Sequence, residues 1–428
     1  MFHTEWHTNA ECEFFRNLKL MKGVSPMIMM QNVGSLLILR ALLMRRTEPK
    51  LWDTFMQLET HLNERKNSGV WGFYENTVKV SGTFLPIDLI HSSLSSSVLQ
   101  KICAAIDVNS FEVRGPAISA IGCAETLRGV YLKAALLAHD CVANTHMSIN
   151  DNNVLVCHAS VEIKKGEPIY YNYTDPLKGT TFRQRHLLIG KYFKCTCNRC
   201  SDFTELGTHM SSALCPGCKT GYICRTTEEE WTCNDCQRHF PNTDIGRKVQ
   251  SCSDKLDVIT CLNEYIRNVS LILAPNHYLL LDAKQRLAGV LRDTINREPH
   301  PLKKVIRRKL ELCKEIMPVL EKLSPGISRT KGDISVCSYL VLFLIQTLSS
   351  YYSYLNKNET YCFQDELLAA EKHLKRSLEM LFIEPGNSPE GELCAKALEE
   401  YRALKATMSK VLDAMHAEGK TYVSQAEE

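Results

Sequence analysis

The chain has 428 residues, with 51 lysines and arginines against 48 aspartates and glutamates, a formal charge of +3. So small a balance excludes bulk electrostatic binding of nucleic acid, and an apolar share of 44% with a charged share of 23% excludes global disorder. The length predicts several domains at roughly 100–200 residues each, and the 19 cysteines, an odd number, fit metal ligation in a reducing compartment better than a complete disulfide framework.

The first 17 residues are polar and hold His3, His7 and Cys12. Glu5, Glu11 and Glu13 precede any apolar run, which argues against a signal peptide. Ser25-Pro26 reads as an N-cap and first helical residue, predicting a helix to about residue 46 and a second over 51–65. The apolar run 26–39 carries Gln31 and Asn32 and is too short to span a membrane. Residues 69–95 are mixed. Residues 99–111 read as a helix that turns into the extended segment Asn109-Ser110-Phe111-Glu112-Val113, and 126–138 as a further helix.

Asn150-Asp151-Asn152-Asn153 between two apolar runs predicts a hairpin over 145–159. After the turn Lys164-Lys165-Gly166-Glu167, the residues Ile169, Tyr171 and Tyr173 alternate as on one strand face. Residues 181–193 read as a helix entering the first cysteine cluster. From about Ile245 onward apolar residues recur at helical spacing, over 256–273, 278–291, 302–323, 336–354, 366–381 and 392–415. Pro275, Pro325-Gly326 and Pro385-Gly386 punctuate them. An all-helical C-terminal domain of antiparallel hairpins follows.

Two cysteine groups have metal spacing. Cys215-Pro-Gly-Cys218 and Cys233-Asn-Asp-Cys236 form C-x₂-C-x₁₄-C-x₂-C. Each pair sets two thiolates on one tight turn, which Gly217 is expected to assist, and the pairs together can close a tetrahedral zinc site. Four thiolates leave zinc no open position, so the expected role is structural. Cys195-Thr-Cys197-Asn-Arg-Cys200 supplies three thiolates and needs a fourth ligand from elsewhere.

Four segments together resemble the SMYD family of SET-domain protein-lysine methyltransferases, which carry an inserted MYND zinc finger. Leu137-Ala-His-Asp-Cys-Val-Ala-Asn144 is similar to the family's N-H-S-C-x-P-N. Gly166-Glu-Pro-Ile-Tyr-Tyr-Asn-Tyr-Thr174 is similar to its G-E-E strand. Residues 191–200 look like the post-SET cysteine cluster, and Asn109-Ser110-Phe111 matches the N-S-F segment. The Cys215–Cys236 knuckle looks like the arthropod branch. The resemblance implies an α+β protein: a SET β-core with a helical insert, a zinc-bound post-SET region and an all-helical, tetratricopeptide-like C-terminal domain.

The domains it implies are a MYND remnant at 1–17, the insert at 18–95, the SET core at 96–194, the zinc cluster and knuckle at 195–240, and the helical domain at 241–428. Cys141 would join Cys195, Cys197 and Cys200 on zinc, giving about two zinc ions per chain with the site of Cys215, Cys218, Cys233 and Cys236. Tyr173 would be the catalytic tyrosine. Ala138, His139 and Phe193 would border S-adenosylmethionine, and Phe111 and Tyr171 the channel for the target lysine. A protein substrate or partner is implied, histone among the options. No membrane partner and no direct nucleic-acid partner is expected: Glu228-Glu229-Glu230 flank the knuckle's Lys219 and Arg225 and repel phosphate. A monomer in the cytoplasm, the nucleus or both is expected.

The chain departs from the family pattern in three places. It has no G-x-G, the turn by which the family approaches its cofactor. Ala138 stands where the family has Asn, and Ala143 where it has Pro. His3, His7 and Cys12 resemble only the last piece of a MYND finger, so His7 and Cys12 are expected to hold no metal. Two readings stay open: an S-adenosylmethionine-dependent lysine methyltransferase, and a catalytically weakened or inactive SET-derived scaffold that binds protein partners.

Overall fold

The computed structural model describes residues 33–66, 68–75, 96–114, 126–298, 302–335 and 360–417, with a few isolated positions before residue 17. His3, His7 and the expected helix over 336–354 lie outside the described residues. The chain divides into two compact units.

The first unit takes residues 1–113, 126–137 and 188–193. Among the described residues its helices include α1 (Val33–Thr47), α2 (Pro49–Met56), α3 (Leu62–Lys66) and α4 (Ser96–Asn109). On α4, Leu99, Ile102, Cys103 and Ile106 recur at helical spacing and are buried. They meet Ile38, Leu39 and Leu42 of α1 together with Phe55 and Leu58. Strand β1 (Ser110–Arg114) follows α4 and pairs with β2 (Thr126–Val130). The apolar run 126–138 is therefore not the helix its composition predicts: it is a strand, a 3₁₀ turn over Ala134–Leu136, and the start of another strand. Pairing with β1 outweighs a weak local preference.

The second unit takes 114–125, 138–187 and 194–428. Strand β3 (Ala138–His139) pairs in parallel with β6 (Tyr170–Tyr171). Between them lies the hairpin of β4 (Thr145–Ile149) and β5 (Leu155–Ala159), in the register Thr145 opposite Ala159. Its turn forms as predicted. Asn150 Oδ1 accepts from the backbone N–H of Asn152 and Val154, and Asn153 takes the left-handed conformation at φ 58°. Helix α5 (Thr180–Lys191), whose residues from Leu188 onward belong to the first unit, and the short α6 (Asn198–Ser201) follow.

Four short antiparallel strands, β7 (Ala213–Leu214), β8 (Tyr222–Arg225), β9 (Glu230–Cys233) and β10 (His239–Pro241), form one sheet in the order 10-9-8-7. The helices α7 (Asn242–Asp257), α8 (Leu262–Val269), α9 (Tyr278–Arg297), α10 (Lys303–Leu323), α11 (Thr360–Leu381) and α12 (Pro389–Ala417) follow among the described residues. The continuous helix expected over 256–273 breaks between α7 and α8. Ile223 and Trp231 of the small sheet share a core with Ile245, Leu256, Leu273, Leu280 and Leu287. Each buried leucine contributes about 1.5–3 kcal/mol, so the sheet is anchored on α7–α9. A second cluster joins Leu177 and Met210 to Leu281, Ile316 and Leu320. Among the described residues no helix is long and apolar enough to cross a membrane.

Candidate functional site

The parallel pair sets Ala138 opposite Tyr170 and His139 opposite Tyr171. A parallel pair requires a crossover, and β4–β5 lies within it. Asn144 and Thr145, where the crossover leaves β3, clamp the other strand. Asn144 Oδ1 accepts from Tyr170 N–H at 2.8 Å, Asn144 Nδ2 donates to Pro168 O at 2.9 Å, and Thr145 Oγ1 donates to Tyr170 O at 2.6 Å. Asn172 Nδ2 donates to Cys141 O at 3.2 Å.

Tyr173 lies two residues beyond the strand Tyr170–Tyr171, so the alternation of Ile169, Tyr171 and Tyr173 does not mark one strand face. A side chain holds it instead: Tyr173 N–H donates to His139 Nδ1 at 3.0 Å. The ring centroid of Tyr173 is 5.1 Å from that of His139 and 6.1 Å from that of Tyr171.

With Nδ1 accepting, the neutral imidazole carries its proton on Nε2. That nitrogen is 3.3 Å from Cys141 Sγ. Burial pushes the His139 pKa down to about 4, so the ring is neutral at pH 7. Burial, with Tyr171 beside it, raises the Tyr173 phenol, which stays protonated. His139 thus connects Tyr173 to the first cysteine cluster.

Cys141, Cys195, Cys197 and Cys200 bring their sulfurs within 4.8 Å of one another. Cys141 Sγ is 4.0 Å from that of Cys195 and 3.5 Å from that of Cys200. Zinc–sulfur bonds of about 2.3 Å in a tetrahedron place sulfurs about 3.8 Å apart, so the set fits zinc. Four thiolates on one divalent ion carry two negative charges, and buried charge needs a partner. Arg183, fully buried, supplies it: Nε donates to Cys141 Sγ at 3.3 Å and NH2 to Cys200 Sγ at 3.5 Å.

Behind Arg183 lies Glu205, which accepts from Arg183 NH1 at 2.9 Å and from Arg199 Nε at 3.0 Å. Burial acts to raise the Glu205 pKa, but Arg199 and Arg183 outweigh it and hold the carboxyl below its usual range. Ser211 Oγ also donates to Glu205. Sequence inspection misses this network, because isolated charges in a polar helix carry no spacing signal. Arg199 lies within the C-x₂-C motif itself and was the available hint.

Cys215, Cys218, Cys233 and Cys236 form the second cluster. Cys215 and Cys236 sulfurs are 3.7 Å apart, as are those of Cys218 and Cys233. Here backbone amides face the sulfurs: Gly217 N to Cys215 Sγ at 3.3 Å, Gly221 N to Cys218 Sγ at 3.4 Å and Cys236 N to Cys233 Sγ at 3.4 Å. The left-handed residues of the two turns are Lys219 (φ 63°) and Gln237 (φ 55°), each just after its second cysteine, rather than Gly217. Gly221 is the required glycine: a Cβ there would lie 2.8 Å from Cys233 Sγ. Both clusters can hold zinc.

No protein-family model matches the chain. It is 31% identical over 202 residues to SET domain-containing protein SmydA-8, isoform A, of Drosophila melanogaster, a match covering 44% of this chain and 42% of that protein. N-lysine methyltransferase SMYD2-B of Xenopus laevis is 26% identical over 160 residues, 36% of this chain and 34% of its own length. Histone-lysine N-methyltransferase SET5 of Saccharomyces cerevisiae (strain YJM789) is 38% identical over 80 residues, 18% of this chain and 15% of its own.

The chain is related to the SMYD family. It matches about two fifths of the length of the SmydA-8 protein. Of the other residues singled out from the SMYD pattern, Ala138 is exposed on β3. Phe111 and Phe193 belong to the first unit. There Phe111 meets the edge of Tyr131 at 5.9 Å between centroids, and Phe193 is half-buried. Asn109, from the N-S-F segment, donates through Nδ2 to Glu59 O and to Ala105 O, each at 2.8 Å. It ties the end of α4 to the segment between α2 and α3.

Proposed function

We propose that the chain carries a SMYD-type protein-lysine N-methyltransferase site that uses S-adenosylmethionine. The observation that supports this reading is the linkage through His139: one ring accepts from the backbone of Tyr173 at Nδ1 and sets Nε2 3.3 Å from the sulfur of Cys141. A zinc-closed cluster then holds the tyrosine in place. S-adenosylmethionine, when bound, supplies the methyl group.

What the chain's own residues do follows from their environments. The Tyr173 hydroxyl stays protonated, so it orients a lysine amine by hydrogen bonding and does not deprotonate it. Tyr171 and Tyr173 offer two rings, which favour a cationic neighbour and exclude water. The reaction is an in-line transfer that depends mainly on alignment, and His139 with Asn144 supplies that stiffness. Zinc in both clusters is structural. The roles of Phe111 and Phe193 rest on the family resemblance alone. A protein lysine is the substrate class. The yeast relative is named a histone-lysine methyltransferase, which makes histones the first substrates to try.

The second reading, a scaffold that binds partners without turnover, draws on Ala138. It places an exposed methyl group where the family has an amide, and one missing hydrogen bond costs about 0.5–1.5 kcal/mol. Calorimetry with S-adenosylmethionine on the parent, Ala138→Asn and Tyr173→Phe separates the two readings. A methylation site binds the cofactor in all three. Ala138→Asn then binds about tenfold tighter, and Tyr173→Phe binds normally without turnover on a histone mixture. Silence in all three proteins abandons the enzyme in favour of the scaffold.

A further inference from the structure

A cavity of about 470 Å³, lined by neither Tyr171 nor Tyr173, lies entirely within the second unit. Its walls come from the start of α5, the small sheet beside the second cysteine cluster, α7 and the start of α9. Two of its lining residues are charged, and both are arginines, Arg225 and Arg247; no carboxylate lines it. Arg225 gives Nε to Thr227 O and NH2 to Glu228 O, and Arg247 gives Nε to Thr243 O and NH2 to Asp244 Oδ1. Each guanidinium is thereby oriented and keeps NH1 for a further acceptor.

Three helices begin at this cavity, at Thr180, Asn242 and Tyr278. Their first amides are already engaged, Thr180 N–H by Glu205 Oε1 and Ser211 Oγ, Asn242 N–H by Glu229 O and Tyr278 N–H by Met210 O, which leaves later amides of each first turn. Helix N-termini favour negative charge. The residue before α7 is Pro241, so that helix has no side-chain cap for its first amides.

A buried side chain points to the same ligand chemistry. His277 lines the cavity and is 1% exposed. Among the described residues its side chain makes one hydrogen bond, accepting at Nδ1 from Leu279 N–H. The proton therefore sits on Nε2, a donor with no acceptor among the described residues. Burial pushes the His277 pKa down to about 3, so it donates as a neutral ring. The remaining walls include the rings of Phe182, Trp231 and Tyr278, which suit a flat apolar body.

We propose that this cavity is a second ligand site, separate from methyl transfer, that takes a small aromatic anion: an aryl ring between Phe182, Trp231 and Tyr278, with a phosphate or carboxylate head toward Arg225, Arg247 and His277. The reading stands whether or not the methyltransferase reading does.

The test is calorimetry on the zinc-loaded full chain with phenyl phosphate, benzoate and phenol. One equivalent of at least one anion binds, and phenol binds at least tenfold more weakly. Phenyl phosphate ahead of benzoate identifies a phosphate head; the reverse order identifies a carboxylate. Arg247→Glu alters an exposed side chain and weakens the anion at least tenfold. Thr181→Trp fills the cavity from an exposed position and abolishes binding. Hydrogen exchange of the parent with the anion is the second readout, and it slows at residues 179–182 and 242–250 even if a variant misfolds. The proposal is overturned if neither anion binds, if phenol binds as well as the anions, if binding survives both folded variants, or if exchange slows elsewhere only.

Discussion

Around Cys141, Cys195, Cys197 and Cys200 the sulfurs meet backbone amides and, in addition, the buried guanidinium of Arg183, with the His139 ring beside Cys141. Around Cys215, Cys218, Cys233 and Cys236 the donors include backbone amides of the turns themselves. The first cluster joins segments far apart in sequence, from β3 to the start of α6, and rests against the buried charges Arg183, Glu205 and Arg199. The second closes within 22 residues and packs on the apolar core of α7–α9. Amide donors come with the turn, whereas side-chain donors can be removed one at a time. The first cluster is the one with a buried guanidinium donor that one substitution removes, and it is the one linked through His139 to Tyr173.

Removing a ligand should separate the clusters most widely. Cys141→Ala should lower bound zinc from about two equivalents to about one and cost on the order of 4 kcal/mol, read by metal analysis and urea melting. Retention of both equivalents would break the ligand set. Next comes Arg183→Met, which leaves Glu205 with Arg199 but strips the donor from two sulfurs. It should cost about 3 kcal/mol and weaken one zinc by about 10–100-fold against a chromogenic chelator, with the other unchanged.

Gly221→Ala should do the reverse. Its Cβ would press on Cys233 Sγ, so the second zinc should loosen and stability fall by about 1–3 kcal/mol. The first zinc should titrate as in the parent. The smallest effect is a gain: Lys219→Gly relieves a left-handed residue and should stabilise the second cluster by up to about 1 kcal/mol. A loss there would mean that the lysine side chain, not its backbone, matters.

The contrast also explains what could be read from residues alone. The two four-cysteine groupings were legible because metal chemistry imposes spacing on the chain, C-x₂-C in one case and a family pattern around Cys141 in the other. The hairpin over 145–159 was legible because Asn150 and Asn153 have turn chemistry of their own. The strand at 126–130 was not, since its partner β1 decides it and nothing local does. Nor was the position of Tyr173, which depends on a ring nitrogen 34 residues away. Arg183 and Glu205 were invisible because a buried ion pair looks like surface charge until the fold encloses it. Gly217 drew notice as the turn glycine, while the close approach to sulfur falls at Gly221.

The central claim is that the first cluster, through His139, belongs to the methyl-transfer site and the second does not. S-adenosylmethionine titrated by calorimetry into the parent, Cys200→Ser and Cys236→Ser tests it directly. The parent should bind, Cys236→Ser should bind within about threefold of it, and Cys200→Ser should bind at least tenfold more weakly. Equal losses in the two variants, a greater loss in Cys236→Ser, or no heat in the parent would contradict it.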